Sequence, residues 1–364
     1  ANHVRRVVKG KSMVTEEIRL NTALDDAGIE TLETDLGEYI IQLANEAPSH
    51  IIAPAVHKSK EDVGRLFEDK LGIDYTDDPP SLTQAARKTL RKKFLAADMG
   101  ISGCNLACAE TGHITTVSNE GNIRMASTLP RIHMVFMGME RVVPRLRDLD
   151  ILLRLLCRGA AAQKLGTYVS HISSPAGPDN LDGPEQVHLV ILDNGRSRML
   201  ADPEFREMLC CVRCAACLNV CPVYGKIGGH SYGFAYSGPV GAVVTPLLVG
   251  INRSADLCQG ETLCMACQNA CPINIDLPRM LLLLRAKLAD GDEKWQVSRR
   301  SQLEKAAYQI WSRIMQNRRT YNLAVSAATV LQKFLPTSKG LLRSLPPPFN
   351  GWTKSRDMQP LARE

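Results

Sequence analysis

Apolar positions in the first 200 residues follow two kinds of pattern, short continuous runs and stripes at helical spacing. The short runs predict buried strands, at Val4–Val8, Ile51–Ala53, Ile114–Val117, His133–Met137, Tyr168–Ile172 and Val187–Leu192. The stripes predict helices, over Glu16–Ala27, Ser59–Leu71 and Ser81–Leu95, with Ser59 and Asp62 in the pattern of an N-terminal cap. Because helices alternate with short strands, a largely parallel sheet with helices on its faces is expected.

Strand patterns nearly end after Ala201, and the remaining periodic segments are helical. They predict helices over Met280–Leu288, Gln302–Ile314 and Tyr321–Leu335, before a proline-rich end. We therefore expect three regions: an α/β domain at 1–200, a helical cysteine-rich domain at 201–293, and a basic helical tail at 294–364.

Length and composition support this division. The 364 residues are 45% hydrophobic, enough for two or three domains with apolar cores, which argues against a disordered or collagen-like chain. The longest apolar stretch, Pro239–Ile251, contains Gly241, Pro246 and Gly250 and falls short of a membrane span. No apolar signal region follows the basic N-terminal residues, so we expect a reducing compartment, the cytoplasm, with cysteines used for metal or redox chemistry.

Charge and cysteine are both distributed unevenly. From Lys294 onward there are 13 Lys/Arg against three Asp/Glu, whereas the first 293 residues carry 31 against 35. Nine of the twelve cysteines lie between Cys210 and Cys271. The middle region is therefore the candidate for metal chemistry, and the tail is the candidate for contact with an acidic partner.

The strongest motif is Cys211-x2-Cys214-x2-Cys217-x3-Cys221-Pro222. Bacterial ferredoxins use this spacing for [4Fe–4S] clusters, with the fourth cysteine ligating the other cluster of a pair. Three closely spaced thiolates can reach three irons of one cubane, while the proline redirects the backbone. Paired Cys-x2-Cys elements also bind zinc, but zinc gains nothing from Cys-Pro endings. The motif predicts an iron–sulfur site.

A second run, Cys264-x2-Cys267-x3-Cys271-Pro272, completes the pair, so two [4Fe–4S] clusters are expected. By the crossing rule, the first cluster is expected to bind Cys211, Cys214, Cys217 and Cys271. The second is expected to bind Cys221, Cys264 and Cys267 and is one ligand short, because Glu261 stands where a complete motif has its first cysteine. Cys258 is the candidate fourth ligand. Alternatively Cys258 is a buried apolar residue, and the fourth iron is open, absent or bound by another group.

Other residues carry weaker signals. Cys210 is expected to be structural, because it cannot join the cluster of Cys211 on the same side. His230 is either a hydrogen-bonded loop residue or a donor to a cluster, and Arg213 either raises a cluster potential or is solvated. No Gly-x-Gly-x-x-Gly follows a strand, and Arg5 stands where a phosphate loop ending in Lys11-Ser12 needs glycine. No catalytic residue is therefore assigned.

Dispersed residues also carry a resemblance to a known family. The chain resembles the B-type iron–sulfur subunits of three-component lactate-utilisation (Lut) systems. The segments that match are Lys11–Val14, Glu33–Leu43, Pro48–Ile51, Ala109–Gly112, Asn119–Asn122, Asp193–Ser197, Cys211–Tyr224, Gly228–Gly233, Tyr236–Pro239 and Trp352–Asp357.

The resemblance implies a lactate-utilisation α/β domain, similar to sugar-isomerase and CoA-transferase sheets, followed by a helical two-cluster ferredoxin domain. It implies electron transfer from L-lactate oxidation, with A-type and C-type subunits or an equivalent dehydrogenase as partners. The family's seven cluster cysteines coincide with the seven that spacing selects. Substrate chemistry is then expected on a partner subunit. The alternatives are a subunit of another oxidoreductase, of glycolate or heterodisulfide type, and a cluster-based redox sensor or binding module.

Several residues depart from that pattern or admit two readings. Cys104, Cys108, Cys157 and Cys258 are additional to the family's cysteines; the first two are either small buried residues or a further metal or redox pair. Glu110 and Glu120 either cap loops or face a ligand pocket. The tail helices either dock on an acidic protein or the cytoplasmic membrane face, or form a solvated bundle face. Nucleic acid is not expected as a partner.

Overall fold

The computed structural model describes residues 3–180, 182–298, 302–347 and 350–361. The chain divides into two compact units, one of residues 1–288 with 292–298, the other of residues 289–291 with 299–364. Within the described residues, no helix is both long and apolar enough to cross a membrane.

The first half of the large unit alternates strands and helices. Its elements are β1 (Arg6–Lys9), α1 (Met13–Glu17), α2 (Leu20–Asp26), β2 (Glu30–Glu33), α3 (Leu36–Ala44), α4 (Lys60–Leu71), α5 (Pro79–Leu95), β3 (Met99–Gly103), β4 (Leu106–Cys108), β5 (Ile114–Ser118), α6 (Asn122–Thr128) and β6 (Ile132–Gly138). Ser59 caps α4 as expected, since its hydroxyl accepts from the Asp62 amide and the Asp62 carboxylate accepts from the Ser59 amide.

The second half of this unit becomes helical. It contains β7 (Val142–Val143), α7 (Leu146–Ala161), β8 (Tyr168–Ile172), β9 (Gln186–Leu192), α8 (Arg196–Leu200), α9 (Ala216–Asn219), α10 (Pro222–Ile227), α11 (Gly238–Val249), α12 (Ala255–Gly260), α13 (Ala266–Ala270) and α14 (Leu277–Asp290), whose last two residues belong to the small unit. Short 3-10 turns cover Met139–Arg141, Arg206–Cys210 and His230–Tyr232.

Five strands form the predicted parallel sheet, in the order β2-β1-β3-β6-β9. Helix α6 lies so close to β3 that a Cβ on Gly100 would stand 1.7 Å from the Ala126 carbonyl oxygen, so only glycine fits there. β5 and β8 exist as predicted, but they pair antiparallel with each other in a second sheet of order β7-β4-β5-β8.

Two local predictions are wrong. Ile51–Ala53 is a bend rather than a strand, because the His50 Nδ1 accepts the amide protons of Ile52 and Ala53 that a strand would donate to a neighbour. The helix expected over Glu16–Ala27 is broken at Arg19, which has a left-handed φ of 52°. The break follows Glu17, whose carboxylate turns to the interior of the unit.

The helical half has a core of its own around α11 and α14. Val243, Leu247, Met280 and Leu284 are all buried there. The apolar stretch Pro239–Ile251 falls largely in α11, whose residues are buried on nearly every side, as expected for a central helix of a protein core.

The small unit contains α15 (Gln302–Met315), α16 (Arg318–Leu331), a hairpin of β10 (Thr337–Ser338) and β11 (Leu341–Leu342), and α17 (Asn350–Thr353). The two long helices pack on each other. Asn317 caps α16, so this helix begins three residues before the predicted start at Tyr321.

Candidate metal centre

The first cysteine motif has an irregular backbone that turns its thiols inward. Cys211 follows the 3-10 turn Arg206–Cys210 in an extended conformation. Arg213 and Ala215 then adopt left-handed φ angles of 60° and 64°. Non-glycine residues rarely hold such angles unless the surrounding structure requires them, as at ligand sites. The proline after Cys221 begins α10, where its missing N–H costs nothing.

Four thiols form a first group: Cys211, Cys214, Cys217 and Cys271. Burial raises the pKa of the Cys214 thiol, and the neighbouring Cys211 and Cys271 raise it further. Burial likewise raises the pKa of Cys217 well above its ordinary value, with Cys211 and Cys214 adding to the shift. Mutual repulsion between thiolates is what a bound cation would relieve. These are the four cysteines that the crossing rule assigns to one cluster.

The second motif repeats the backbone of the first at an offset of 50 residues. Leu263 and Met265 have left-handed φ angles of 58° and 66°, at the positions equivalent to Arg213 and Ala215. Helix α13 corresponds to α9, and the two helices pack against each other. This packing brings the two motifs together, as the predicted crossing of Cys221 and Cys271 requires.

A second group of donors lines a small cavity between α10, α11, α13 and α14, just after the end of α12. Cys221, Cys264 and Cys267 line it, as expected, and so does Glu261. The Cys221 Sγ donates to the Glu261 Oε2 at 3.3 Å. Burial raises the pKa of Cys221 and of Cys267 to about 11, and Glu261 adds to both shifts. A hydrogen bond from Thr262 lowers the pKa of the exposed Cys264.

Cys258 occupies a different environment from the other candidate ligands. It is fully buried in the helical core, and its Sγ contacts the Ser254 carbonyl oxygen at 3.5 Å. The residues lining the cavity include Glu261 but not Cys258. The assignment of Cys258 as a ligand stays a prediction. Cys210 is exposed, beside the first group.

The donor set suits iron–sulfur clusters. Backbone amides donate to three of the sulfurs: Arg213 N to Cys211, Tyr224 N to Cys221 and Ile275 N to Cys271, each at 3.4 Å. Such N–H···S bonds tune cluster potentials. Among the described residues, no three His, Cys, Asp or Glu side chains converge closely enough for one ion. When bound, a cluster supplies one-electron transfer; the chain supplies thiolates, amide donors and an apolar shell.

The α/β half also contains a cavity of about 310 Å³, next to the first thiol group. Lys11, Asp35, Glu120, Arg141 and Arg213 are among its lining residues. Burial, with Asp35 nearby, raises the pKa of Glu120 to about 7, and burial lowers the pKa of Lys11. Cys104 and Cys157 line the same cavity, and burial raises the pKa of Cys104 to about 11. Cys108, the last residue of β4, is buried in a cluster with Leu149 and Leu153 of α7.

The remaining candidates have structural partners. Glu110 accepts from the Leu146 amide at the start of α7, as the capping alternative expected. Glu120 accepts from the Leu36 amide at the start of α3 and also lines the cavity, so both alternatives hold for it. His230 bonds to the Ala47 carbonyl oxygen at 2.8 Å, the hydrogen-bonded loop reading. Arg213 is buried rather than solvated, and its guanidinium lies 4.5 Å from the Tyr236 ring centroid.

A buried charge network connects the two halves of the large unit, and the sequence analysis missed it. Arg196 bonds both oxygens of Glu17, at 2.7 and 3.0 Å, and Glu140 at 2.5 Å. Tyr236 donates to Glu17. Arg141 donates to the Cys211 carbonyl oxygen at 3.0 Å. The segment Asp193–Ser197 contains Arg196, but the sequence of this segment does not indicate which carboxylates Arg196 contacts.

Comparison with known proteins agrees with this geometry. Residues 1–192 match the model of the LUD domain, and residues 207–275 match the model of the 4Fe-4S dicluster domain. The chain therefore carries the expected α/β domain and a domain for [4Fe–4S] clusters.

Three curated relatives are similar along essentially the whole chain, and each is called lactate utilization protein B. The protein from Shouchella clausii is 46% identical over 100% of this chain and 75% of its own length. Those from Bacillus cereus and Bacillus cytotoxicus are each 45% identical, over 99% and 100% of this chain and 74% and 75% of their own. A solved DUF162-family structure from Deinococcus radiodurans, 17% identical, covers 52% of this chain and 88% of its own at a TM-score of 0.23, too low to bear on the fold. By sequence identity and by its two matched domains, the chain belongs to the lactate utilization protein B family.

Proposed function

We propose that this protein is an iron–sulfur electron-transfer subunit in the oxidation of L-lactate or a related 2-hydroxy acid. One observation supports the proposal: the cysteines of the two motifs form two neighbouring groups of thiols, and each group includes one cysteine from the other motif. Cys221 lines the second cavity, and Cys271 lies with the first group. Two adjacent one-electron centres suit a relay better than they suit substrate chemistry.

The proposed ligands of the first cluster are Cys211, Cys214, Cys217 and Cys271. Cys221, Cys264 and Cys267 are the proposed cysteine ligands of the second. The first cluster faces the α/β half, because Val212 and Cys214 pack with Leu156 of α7. An electron that enters from that side reaches the first cluster before the second.

A partner must supply the two-electron step, so we propose A-type and C-type lactate-utilisation subunits, or an equivalent dehydrogenase, as partners. The small unit offers a docking surface of its own. Leu303, Trp311, Leu323 and Phe334 are exposed there, beside cations such as Arg313. An acidic partner protein suits this surface, and an anionic membrane face inside the cell is the alternative.

Metal analysis of anaerobically purified protein tests the proposal, with two adjacent cysteines as a matched pair. The wild type should contain about eight irons and eight sulfides per chain and show two interacting reduced cubanes by electron paramagnetic resonance. Cys211→Ala should lose the first cluster, whereas Cys210→Ala should retain both. Zinc in place of iron, or an equal loss in both variants, would contradict the proposal.

Partner dependence separates a relay from a redox sensor. A relay should reduce a dye with L-lactate only when the partner subunits are present, and Cys211→Ala should abolish that activity. A sensor should respond to its redox state alone. Glycolate tested beside L-lactate distinguishes the related oxidoreductase reading.

A further inference from the structure

We propose that the Glu261 carboxylate is the fourth protein ligand of the second cluster, in the position that Cys211 holds for the first. This inference rests on the proposed two-cluster function. It completes a set that thiolates alone leave one ligand short, with an oxygen donor in place of sulfur.

Backbone geometry makes Glu261 and Cys211 equivalent. Glu261 precedes Cys264 by three residues, as Cys211 precedes Cys214. Each follows a short helix and is extended, with φ and ψ of −83° and 149° for Glu261 and −64° and 119° for Cys211. Left-handed residues follow at the same two positions in both motifs. Equivalent backbones direct the two side chains toward equivalent places.

Glu261 is buried beside neutral hydrogen-bond donors. Glu261 is 8% exposed, and among the described residues its carboxylate pairs with no cation. Its carboxylate oxygens accept from the Cys221 thiol and, at 2.9 Å, from the Tyr232 hydroxyl. Buried carboxylates are normally paired with a cation or bound to a metal. An iron of the second cluster would supply the missing positive charge.

Arg285 holds this segment in place from α14. Its guanidinium donates to the carbonyl oxygens of Cys258 and Glu261, each at 2.7 Å. The end of α12 is thereby fixed, and the Glu261 side chain is presented to the cavity that Cys221, Cys264 and Cys267 line. A ligand held by its own backbone loses little entropy on binding.

Oxidative loss of iron tests the assignment. A cubane iron without a protein ligand leaves readily: one electron passes to added ferricyanide, one ferrous ion departs, and a three-iron cluster remains. In Glu261→Ala we expect a fall from about eight to about seven irons per chain, with a three-iron resonance signal. Wild type and Cys258→Ala should keep four irons in the second cluster. Glu261→Cys should also keep them.

Equal iron loss from wild type and Glu261→Ala, or loss from Cys258→Ala instead, would overturn the assignment. Because Glu261→Ala could misfold, a direct measurement on wild type stands beside it. Protein labelled with carboxyl-¹³C glutamate should show a carbon hyperfine coupling to the reduced second cluster, and Glu261→Cys should lack it. No coupling in wild type refutes the ligand. Fewer than about eight irons in wild type refutes the two-cluster function instead.

Independently, we infer that the 310 Å³ cavity binds a small carboxylate beside the first cluster. Arg213 is 8% exposed and lines the cavity. Its Nη2 lies 3.8 Å from the Glu140 carboxylate, and its Nε and Nη1 have no hydrogen-bond partner among the described residues. Lys11 lines the same cavity; its Nζ lies 3.6 Å from the Glu38 carboxylate and has no hydrogen-bond partner in the part of the chain that the structure describes. Buried donors without acceptors are costly unless a ligand completes them. The carboxylate of a small organic acid would supply acceptors for these donors, in a cavity that Asp35 and Glu120 also line.

Calorimetric titration of the cluster-loaded chain tests this site, with L-lactate, pyruvate and inorganic phosphate as probes. L-lactate or pyruvate should bind at one site, and Lys11→Gln and Arg213→Gln should each weaken binding about tenfold or more. Arg158→Gln, an exposed position on α7, should bind as wild type does. Absence of carboxylate binding by wild type, or unchanged affinity in Lys11→Gln, would overturn the inference. Phosphate binding with no carboxylate binding would contradict the ligand class.

Discussion

Removal of Arg196 should strongly destabilise the large unit, because this side chain neutralises two buried carboxylates. Glu17 and Glu140 lose three short charge-assisted bonds in Arg196→Gln. Breaking a buried ion pair from one side costs about 3–5 kcal/mol in the free energy of unfolding. Glu140 keeps Arg141 and Arg213 within 3.8 Å, cations that hold its pKa below the usual range against the effect of burial. Most of the destabilisation therefore comes from the unpaired Glu17 carboxylate. We expect Arg196→Gln to lower the free energy of unfolding by about 3 kcal/mol.

Thermal unfolding of the cluster-loaded chain under argon measures this loss. About 3 kcal/mol should lower Tm by about 6–12 °C in a unit of this size. Arg154→Gln is the matched control, because Arg154 pairs with Asp150 at 2.9 Å on the exposed face of α7. An exposed pair contributes at most about 1 kcal/mol, so Tm should move by no more than about 4 °C.

A double variant checks the cause. Glu17→Gln added to Arg196→Gln removes the unpaired carboxylate, so the pair together should be more stable than Arg196→Gln alone. Two results would refute the stabilising role of the network. One is a Tm of Arg196→Gln within about 2 °C of that of Arg154→Gln. The other is a loss of unfolding free energy in the double variant equal to the sum of the losses in the two single variants.

Two further substitutions test other parts of the large unit. Burial lowers the pKa of His133 to about 4. Below about pH 6.5 the unfolded chain therefore binds a proton at this histidine that the folded chain does not bind. The free energy of unfolding should fall by about 3 kcal/mol as pH drops from 6.5 to 4. Urea unfolding measures how the free energy of unfolding depends on pH. This dependence should be weaker in His133→Gln and unchanged in His188→Gln, an exposed site on β9. An equal pH dependence in His133→Gln and wild type would contradict the prediction. Gly159→Ala would place a Cβ 2.9 Å from the Cys214 Sγ, which cannot move aside when bound to iron, so iron content should fall. The new Cβ in Gly225→Ala meets no atom of the described residues within 4 Å, so this variant should load iron normally. An equal iron content in the two variants would contradict the clash.

Much of the site could be predicted from sequence because cluster ligation is local. Cys211, Cys214 and Cys217 are held by one short stretch of chain, and Pro222 marks where that stretch turns away. The offset of 50 residues between the motifs also places Glu261 opposite Cys211. That signal was present in the sequence, but only the cavity and the bond to Cys221 show the carboxylate among the thiols.

Residues that act across the chain could not be predicted in this way. The bend at Ile51–Ala53 depends on the imidazole of His50, which accepts the backbone hydrogen bonds that a neighbouring strand would otherwise accept. The apolar pattern alone does not indicate this contact. From the sequence, Arg213 is expected either to be solvated or to raise a cluster potential. In the structure it is buried against Tyr236.

The sequence by itself determined the alternation of strands and helices, the family, the two cysteine motifs and the basic tail, because each depends on residues close together in the chain. Tertiary structure decided which strands share a sheet, where Cys258 and Glu261 lie, and how Arg196 joins Glu17 to Glu140 across more than 100 residues of chain. Those contacts depend on burial and on the closure of long loops, and no local pattern encodes them.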